Sequence, residues 1–433
     1  MTKMTSPARV SAPAKITPGA RPAPKPAAPA VSGPVAKLLD LRRWAETRVV
    51  GRTAEIELVT LALAARVNVL LLGVPGTAKT MLVETLSSGF CPTPTDFFDV
   101  LMTKFTKPAE VFGPTDVVAL RDEATLRTAT AGYLPEARVG FLDEIFKASS
   151  AILNALLRLA NERTYRNGAE WVRCPTRMLV GASNEMPEDP TLLAAFYDRF
   201  PLKSIVNPLE DQAFSDMIRL VSKPAPKSAA PVSLTEKDFA ELDRVVDAVE
   251  IPASIVDALA TLRGVLRAKG IRPSDRRWAQ SVRILKAAAA LTGRTTVARK
   301  DLRSIESVLW STPEEIGRVK AEIDGQMNPI DRVLRESADR IFGSRRAILD
   351  AAGPAGDMVA ATSAATTALA VIKAQDAHFD VIEENMIETQ EDREKFEIVR
   401  SACQSLRDAI AEVCKGKSGS LSALREAEAP VIG

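Results

Sequence analysis

The feature that most constrains this chain is an apolar run at residues 67–72 that opens at once into Gly73-Val74-Pro75-Gly76-Thr77-Ala78-Lys79-Thr80. An apolar run of this length, then a glycine-bearing turn, then a helical pattern from Met81, spells a buried strand, a tight loop and a helix start. That order makes a phosphate cradle. Backbone N–H groups of the loop and of the helix N-terminus converge on one place, and the helix dipole favours an anion there. Lys79 adds a positive charge for the terminal phosphates, and the Thr80 hydroxyl suits Mg²⁺. The pattern G-x-x-x-x-G-K-[ST] is met except at Ala78, which stands where a second glycine is expected. Alanine tolerates the helical dihedrals of a helix start, so the loop is expected to form with Ala78 helical. The plain alternative is a Gly/Pro turn before a helix.

A second apolar run, Val139 to Leu142, ends in the adjacent carboxylates Asp143 and Glu144. Parallel strands gather their polar ends on one side of a sheet, which would bring this pair beside the phosphate loop. Asp143 suits contact with Mg²⁺, directly or through water. Glu144 suits polarising a water for in-line attack on a γ-phosphate. A third run, Met178–Ser183, ends at Asn184, a neutral donor able to hold that water. Taken singly, each polar site also reads as a helix cap or a solvated turn.

The order GVPGTAKT, FLDE, ASNE and Asp198-Arg199-Phe200 resembles the AAA+ ATPases, and within them the MoxR branch. Longer strings (residues 101–105, 110–114, 132–137 and 161–163) look similar to the RavA subgroup. The resemblance spans about residues 35–325 and reaches neither end of the chain. It implies an αβα sandwich around a parallel sheet, a small all-α lid, and ATP hydrolysis with Mg²⁺. It implies that the turn holding Gly51 and Arg52 packs against adenine. Arg199 becomes an arginine finger acting on a neighbour's nucleotide, which requires a homo-oligomer, a hexameric ring in this family. Arg276 becomes the lid arginine that reaches the γ-phosphate, with Arg277 the competing choice. The loop after the strand at 97–102 and a hairpin at 165–171 would face a central pore. The hairpin's turn is expected at Asn167-Gly168, as a type I′ turn. Proteins of this kind act as chaperone-like remodelers beside a partner with a von Willebrand factor A (vWA) domain.

Composition narrows the chemistry. Across 433 residues, 57 basic side chains nearly balance 55 acidic ones, so no nucleic-acid footprint is indicated. A single histidine excludes histidine-based acid–base work and a zinc site, leaving carboxylates to do the catalysis. Four scattered cysteines fit free thiols in a reducing compartment, the cytoplasm. No run approaches the roughly 20 apolar residues of a membrane span. Residues 1–34 are Ala/Pro-rich, basic and free of acidic groups, and are expected to be an extended, disordered arm. The large α/β unit is expected over 35–206, the helical lid over 207–325 and a helical appendage over 326–433. In that appendage Phe396, Val399, Cys403, Leu406, Ile410 and Val413 recur at spacings of three and four, and Ile372, Phe379, Ile382 and Met386 form a shorter stripe. Such seams belong to a helical hairpin or small bundle. Two other functions remain open on the sequence: a nucleic-acid-dependent motor, and an ATP-dependent assembly switch or scaffold with little turnover.

Overall fold

In the computed structural model, which describes residues 33–185, 190–222, 230–354, 356–385, 390–417 and 420–426, the apolar runs pair into one parallel sheet. Its strands are β1 (Val69–Leu72), β2 (Phe97–Leu101), β3 (Val139–Asp143), β6 (Met178–Ser183) and β7 (Leu202–Ile205). A hairpin, β4 (Thr164–Asn167) with β5 (Glu170–Arg173), lies between β3 and β6 in the chain. The sheet order is β2-β3-β6-β1-β7, so β1 is flanked on both sides and every one of its residues is buried. Leu72 stands level with Ser183 of β6 and Ile205 of β7, which aligns the carboxyl ends of all three strands. Runs this apolar suit a sheet covered by helices.

The helices around the sheet are α1 (Gly33–Glu46), α2 (Thr53–Ala65), α3 (Lys79–Ser87), α4 (Pro108–Phe112), α5 (Val117–Glu123), α6 (Ser150–Glu162) and α7 (Pro190–Tyr197). Helix α6 shows how sequence sets position. The Ser149 hydroxyl caps its start, accepting from the Ile152 amide at 3.5 Å. Ile152, Leu153, Leu156, Leu157, Leu159 and Ala160 then fall on one buried face. The lid follows as α8 (Asp211–Val221), α9 (Glu236–Asp247), α10 (Ala253–Ala268), α11 (Asp275–Leu291), α12 (Glu306–Leu309) and α13 (Ile316–Met327). The buried apolar residues of α9 to α13 belong to the same continuous core as the sheet, from Val35 to Ile323, so sheet and lid share one interior. Two buried cations knit them. Arg177, at the amino end of β6, forks onto Asp243 of α9 at 2.9 and 3.0 Å. Lys203 of β7 donates to the Val308 carbonyl at 2.9 Å between the rings of Tyr197 and Trp310. Burial pushes the Lys203 ammonium well below its ordinary pKa.

A second core, from Ile330 to Leu424, belongs to α14 (Pro329–Ala352), α15 (Met358–Asn385), α16 (Gln390–Cys414) and α17 (Ser420–Glu426). All six residues of the 396–413 seam are buried in it, against α14 as well as α15. Met386 lies outside the described residues, as do 1–32 of the basic arm; Gly33 and Pro34, read as part of that arm, already belong to α1. The hairpin turn also differs from expectation. Asn167 is a strand residue paired with Glu170, and the two loop residues are Gly168 and Ala169, of which only Gly168 has a positive φ. Asn167 is held in place because its side chain both accepts from the Thr128 amide (2.7 Å) and donates to the Thr128 carbonyl (3.0 Å). Among the described residues no helix is long and apolar enough to cross a membrane.

Because the second core shares none of its buried residues with the first, the two should be separable. Leu406→Asp places an unpaired charge at a fully buried position, a cost of several kcal/mol, or about a small domain's whole stability. Limited proteolysis of this variant should release a stable fragment ending near Asn328, with nucleotide binding intact. Loss of the whole chain's cooperative melt would contradict two independent cores.

Candidate active site

The loop after β1 closes on itself. A side chain at Gly73 would collide with the Val206 carbonyl, so only glycine lets the chain leave the sheet here. Gly76, at φ +78°, has open space on its Cβ side. The Thr77 hydroxyl donates to the Val74 carbonyl at 2.9 Å, and the Thr77 carbonyl accepts from Nε of buried Arg52 at 3.0 Å. Gly51, at φ +70°, lies against Leu209 and Ala213 of the segment entering the lid. Arg52 thus touches the loop directly, whereas Gly51 touches the segment that enters the lid. Ala78 departs from expectation: it is not helical but left-handed, at φ 63° and ψ 26°, capping α3. The turn demands the conformation that the missing glycine would have supplied, and alanine adopts it at a steric cost of about 1–2 kcal/mol.

Lys79 is buried beneath this loop. Its Nζ donates to the carbonyls of Gly73 (2.7 Å) and Val74 (3.1 Å) and to Oδ1 of Asn184 (2.9 Å). Burial pulls its pKa below the ordinary value; the nearby carboxylates of Asp143 and Glu144 act the other way, and Arg52 adds slightly to the lowering. The Asn184 amide in turn donates to Oε1 of Glu144. Glu144 is only 6% exposed and sits at φ 52°, a left-handed residue held by its own amide donating to Oδ1 of Asp143 at 2.9 Å. Its Oε2 has no hydrogen-bond partner among the described residues, only a 3.4 Å ion pair to Lys147. Lys79, Asn184, Glu144 and Asp143 thus form one connected cluster at the carboxyl ends of β1, β6 and β3. Half-buried Thr80 follows on the first turn of α3.

This donor set fits Mg²⁺ in one way only. Among the described residues no cluster of three or more His, Cys, Asp or Glu could hold a metal. Mg²⁺ bound with a nucleotide needs just one or two protein oxygens, because phosphates and water supply the rest. Thr80 and Asp143 meet that smaller requirement.

Arg199 and Arg276 are elsewhere. Both line a cavity of about 450 Å³ with Arg66 and Asn68, the residues that lead into β1 from the other side. Asn68 and Gly73 are separated by about 16 Å of extended chain, at about 3.3 Å per residue. The arginines and the phosphate loop therefore occupy opposite ends of the same strand, and Arg276 does not approach its own subunit's loop. Burial lowers the Arg199 pKa, Arg276 lowers it further, and Asp198 opposes both. Arg277 is a structural residue, 4% exposed, with its guanidinium donating to the carbonyls of Val308 (2.9 Å) and Trp310 (2.7 Å) and to the Ser311 hydroxyl (2.9 Å). The sequence singles out no role for Asn68, and Arg163 enters there only as part of the 161–163 string. Asn68 carried a usable signal, being the one polar residue between Val67 and the apolar strand.

Comparison with known proteins adds an independent line. Residues 36–244 match the family model described as the MoxR domain of MoxR–vWA–β-propeller ternary systems, and residues 254–323 match an AAA lid domain. Two uncharacterized proteins of Methanocaldococcus jannaschii are similar. One is 37% identical over 273 residues, 63% of this chain and 71% of that protein; the other is 34% identical over 281 residues, 65% and 72% respectively. Among solved structures, a candidate ATPase from Cytophaga hutchinsonii superposes with a TM-score of 0.55 at 19% identity, covering 68% of this chain and 94% of that one, which speaks to the fold.

The left-handed alanine gives a direct check on the loop geometry. Ala78→Gly should raise stability by about 1 kcal/mol, since glycine adopts this conformation without the Cβ clash. Denaturant unfolding measures it, and an unchanged or lower midpoint would contradict the left-handed assignment.

Proposed function

Since this chain belongs to the MoxR family of AAA+ ATPases, we propose that it binds ATP with Mg²⁺ and hydrolyses it in a ring of identical copies to remodel a protein partner. The observation that carries the reading is the connected cluster Lys79–Asn184–Glu144–Asp143 at the mouth of the phosphate loop. On nucleotide binding Lys79 exchanges the Gly73 and Val74 carbonyls for terminal phosphate oxygens, and the backbone N–H groups of Val74 and of residues 76–80 surround the rest, Pro75 having none to offer. Thr80 and Asp143 would hold Mg²⁺, which would supply neutralising charge to the phosphates. Glu144 takes a proton from the attacking water at Oε2, the oxygen not hydrogen-bonded by Asn184, while Asn184 fixes the carboxylate's orientation.

The placement of Arg199 and Arg276 supports a site shared between copies. A finger at the amino end of β1 reaches a phosphate only if that phosphate belongs to the next subunit. A head-to-tail contact of this kind closes into a ring, which we take to be hexameric. The partner we propose is a vWA-domain protein, in keeping with the systems for which the matching domain is described. Phe105 is 89% exposed on the loop after β2, and Trp171 of the hairpin is half exposed; both offer apolar contacts to a client in the pore. The near balance of charge favours a protein over a nucleic acid as that client. The RavA-like strings and a cytoplasmic setting belong to this same reading.

Glu144→Gln should keep ATP affinity and lose turnover by roughly 10²–10⁴, the usual contribution of a general base. Lys79→Ala should weaken nucleotide binding itself. Equal turnover in wild type and Glu144→Gln would remove the basis for the proposed hydrolysis.

A further inference from the structure

The cavity at the amino end of β1 holds more positive charge than two arginines explain. Arg66, Arg163, Arg199, Arg276 and Arg283 all line it. Arg283 is neutralised by Asp243 and Asp247 at 3.0 and 2.5 Å, and Arg66 faces Asp243 at 4.0 Å. Among the described residues no carboxylate pairs with Arg163, Arg199 or Arg276. Among the same residues, Arg163 Nη1 and Arg199 Nε are buried and find no hydrogen-bond partner. Buried cationic donors left open are costly, so a cavity built this way calls for an anionic acceptor that the subunit itself does not provide.

Arg163 is also deliberately held. It caps the end of α6 in a left-handed conformation at φ 54°. Its Nη2 donates to Oδ1 of Asn68 at 2.8 Å, and that same oxygen accepts from the Leu179 amide of β6 at 3.0 Å. The Asn68 amide nitrogen donates to the carbonyls of Arg199 (2.7 Å) and Ala160 (3.2 Å). One buried asparagine thus fixes Arg163 and the backbone of Arg199 together, with Arg163 Nη1 left free. Burial brings the Arg163 pKa down to about 10, with Arg66 and Arg177 adding to the lowering, so it remains a cation at neutral pH.

We propose that Arg163 is a further phosphate-contacting arginine of this cavity, receiving with Arg199 and Arg276 the terminal phosphate of a nucleotide bound to a second copy of the chain, and that Asn68 positions it. The inference rests on the shared-site reading above, and its test separates the two. In full-length protein, Arg199→Ala is mixed with Glu144→Gln, and separately Arg163→Gln with Glu144→Gln. Each mixture contains junctions that pair an intact base with intact arginines, so turnover should recover in both. Recovery in the first mixture alone overturns the role of Arg163; recovery in neither overturns the shared site and this proposal with it.

A residue that merely braces Arg199 would pass the mixing test, so a second measurement is needed. The concentration of the non-hydrolysable analogue AMP-PNP that drives half-maximal assembly is followed by sedimentation in Arg199→Ala and in Arg199→Ala/Arg163→Gln. Direct phosphate contact predicts a further rise of about tenfold or more in the double variant, the scale of one charge-assisted hydrogen bond. No further rise, with the ADP response unchanged, means that Arg163 acts only through Arg199, and the proposal fails. Should Arg163→Gln melt early, Arg163→Met, which keeps the apolar stem, carries the same comparison.

Discussion

A four-residue strand buried in the middle of a parallel sheet governs this molecule. Strand β1 has neighbours on both edges and apolar packing on both faces, so it tolerates no polar side chain along its length. Polar chemistry is thereby confined to its two ends. Asn68 occupies one and the loop from Gly73 the other, and parallel pairing places Asp143 and Asn184 at the same end as the loop. The separation of arginines from phosphate loop follows from strand geometry before any side chain is considered.

Strain marks the same two places. Among the described residues, five that are not glycine have a positive φ: Arg66, Ala78, Ala124, Glu144 and Arg163. Four of them belong to the phosphate loop, the carboxylate turn or the arginine cavity. Left-handed backbone costs an ordinary residue about 1–2 kcal/mol, so each must be held by its surroundings. Glu144 is held by the Asp143 carboxylate and Arg163 by Asn68. The loop around Ala78 is braced by Arg52 on the Thr77 carbonyl. The fold accepts these costs where side chains must be aimed.

What could be read from the sequence was what is local. The apolar runs, the glycine loop, Asp143-Glu144 and Asn184 all announce themselves because each polar group directly follows its strand. The 396–413 seam was legible for the same reason, since a spacing of three and four fixes a helical face. Features that depend on distant packing were not legible. Arg276 and Arg277 are adjacent on one helix, and only the backbone of residues 308–310 shows which of them is consumed inside the lid. The hairpin turn shifted by one residue because Asn167 answers to Thr128, far away in sequence. Alanine at 78 looked helix-compatible because residue type says nothing of the dihedral a closed loop imposes.

The central claim is that each catalytic site is completed by a second copy of the chain. The most direct measurement is a structure of the assembled Glu144→Gln protein with ATP and Mg²⁺. The account predicts a terminal phosphate contacted by Lys79 of the subunit that binds the nucleotide and by Arg199 and Arg276 of the adjacent one. A terminal phosphate reached by Arg199 of its own subunit, or by neither arginine, would contradict it.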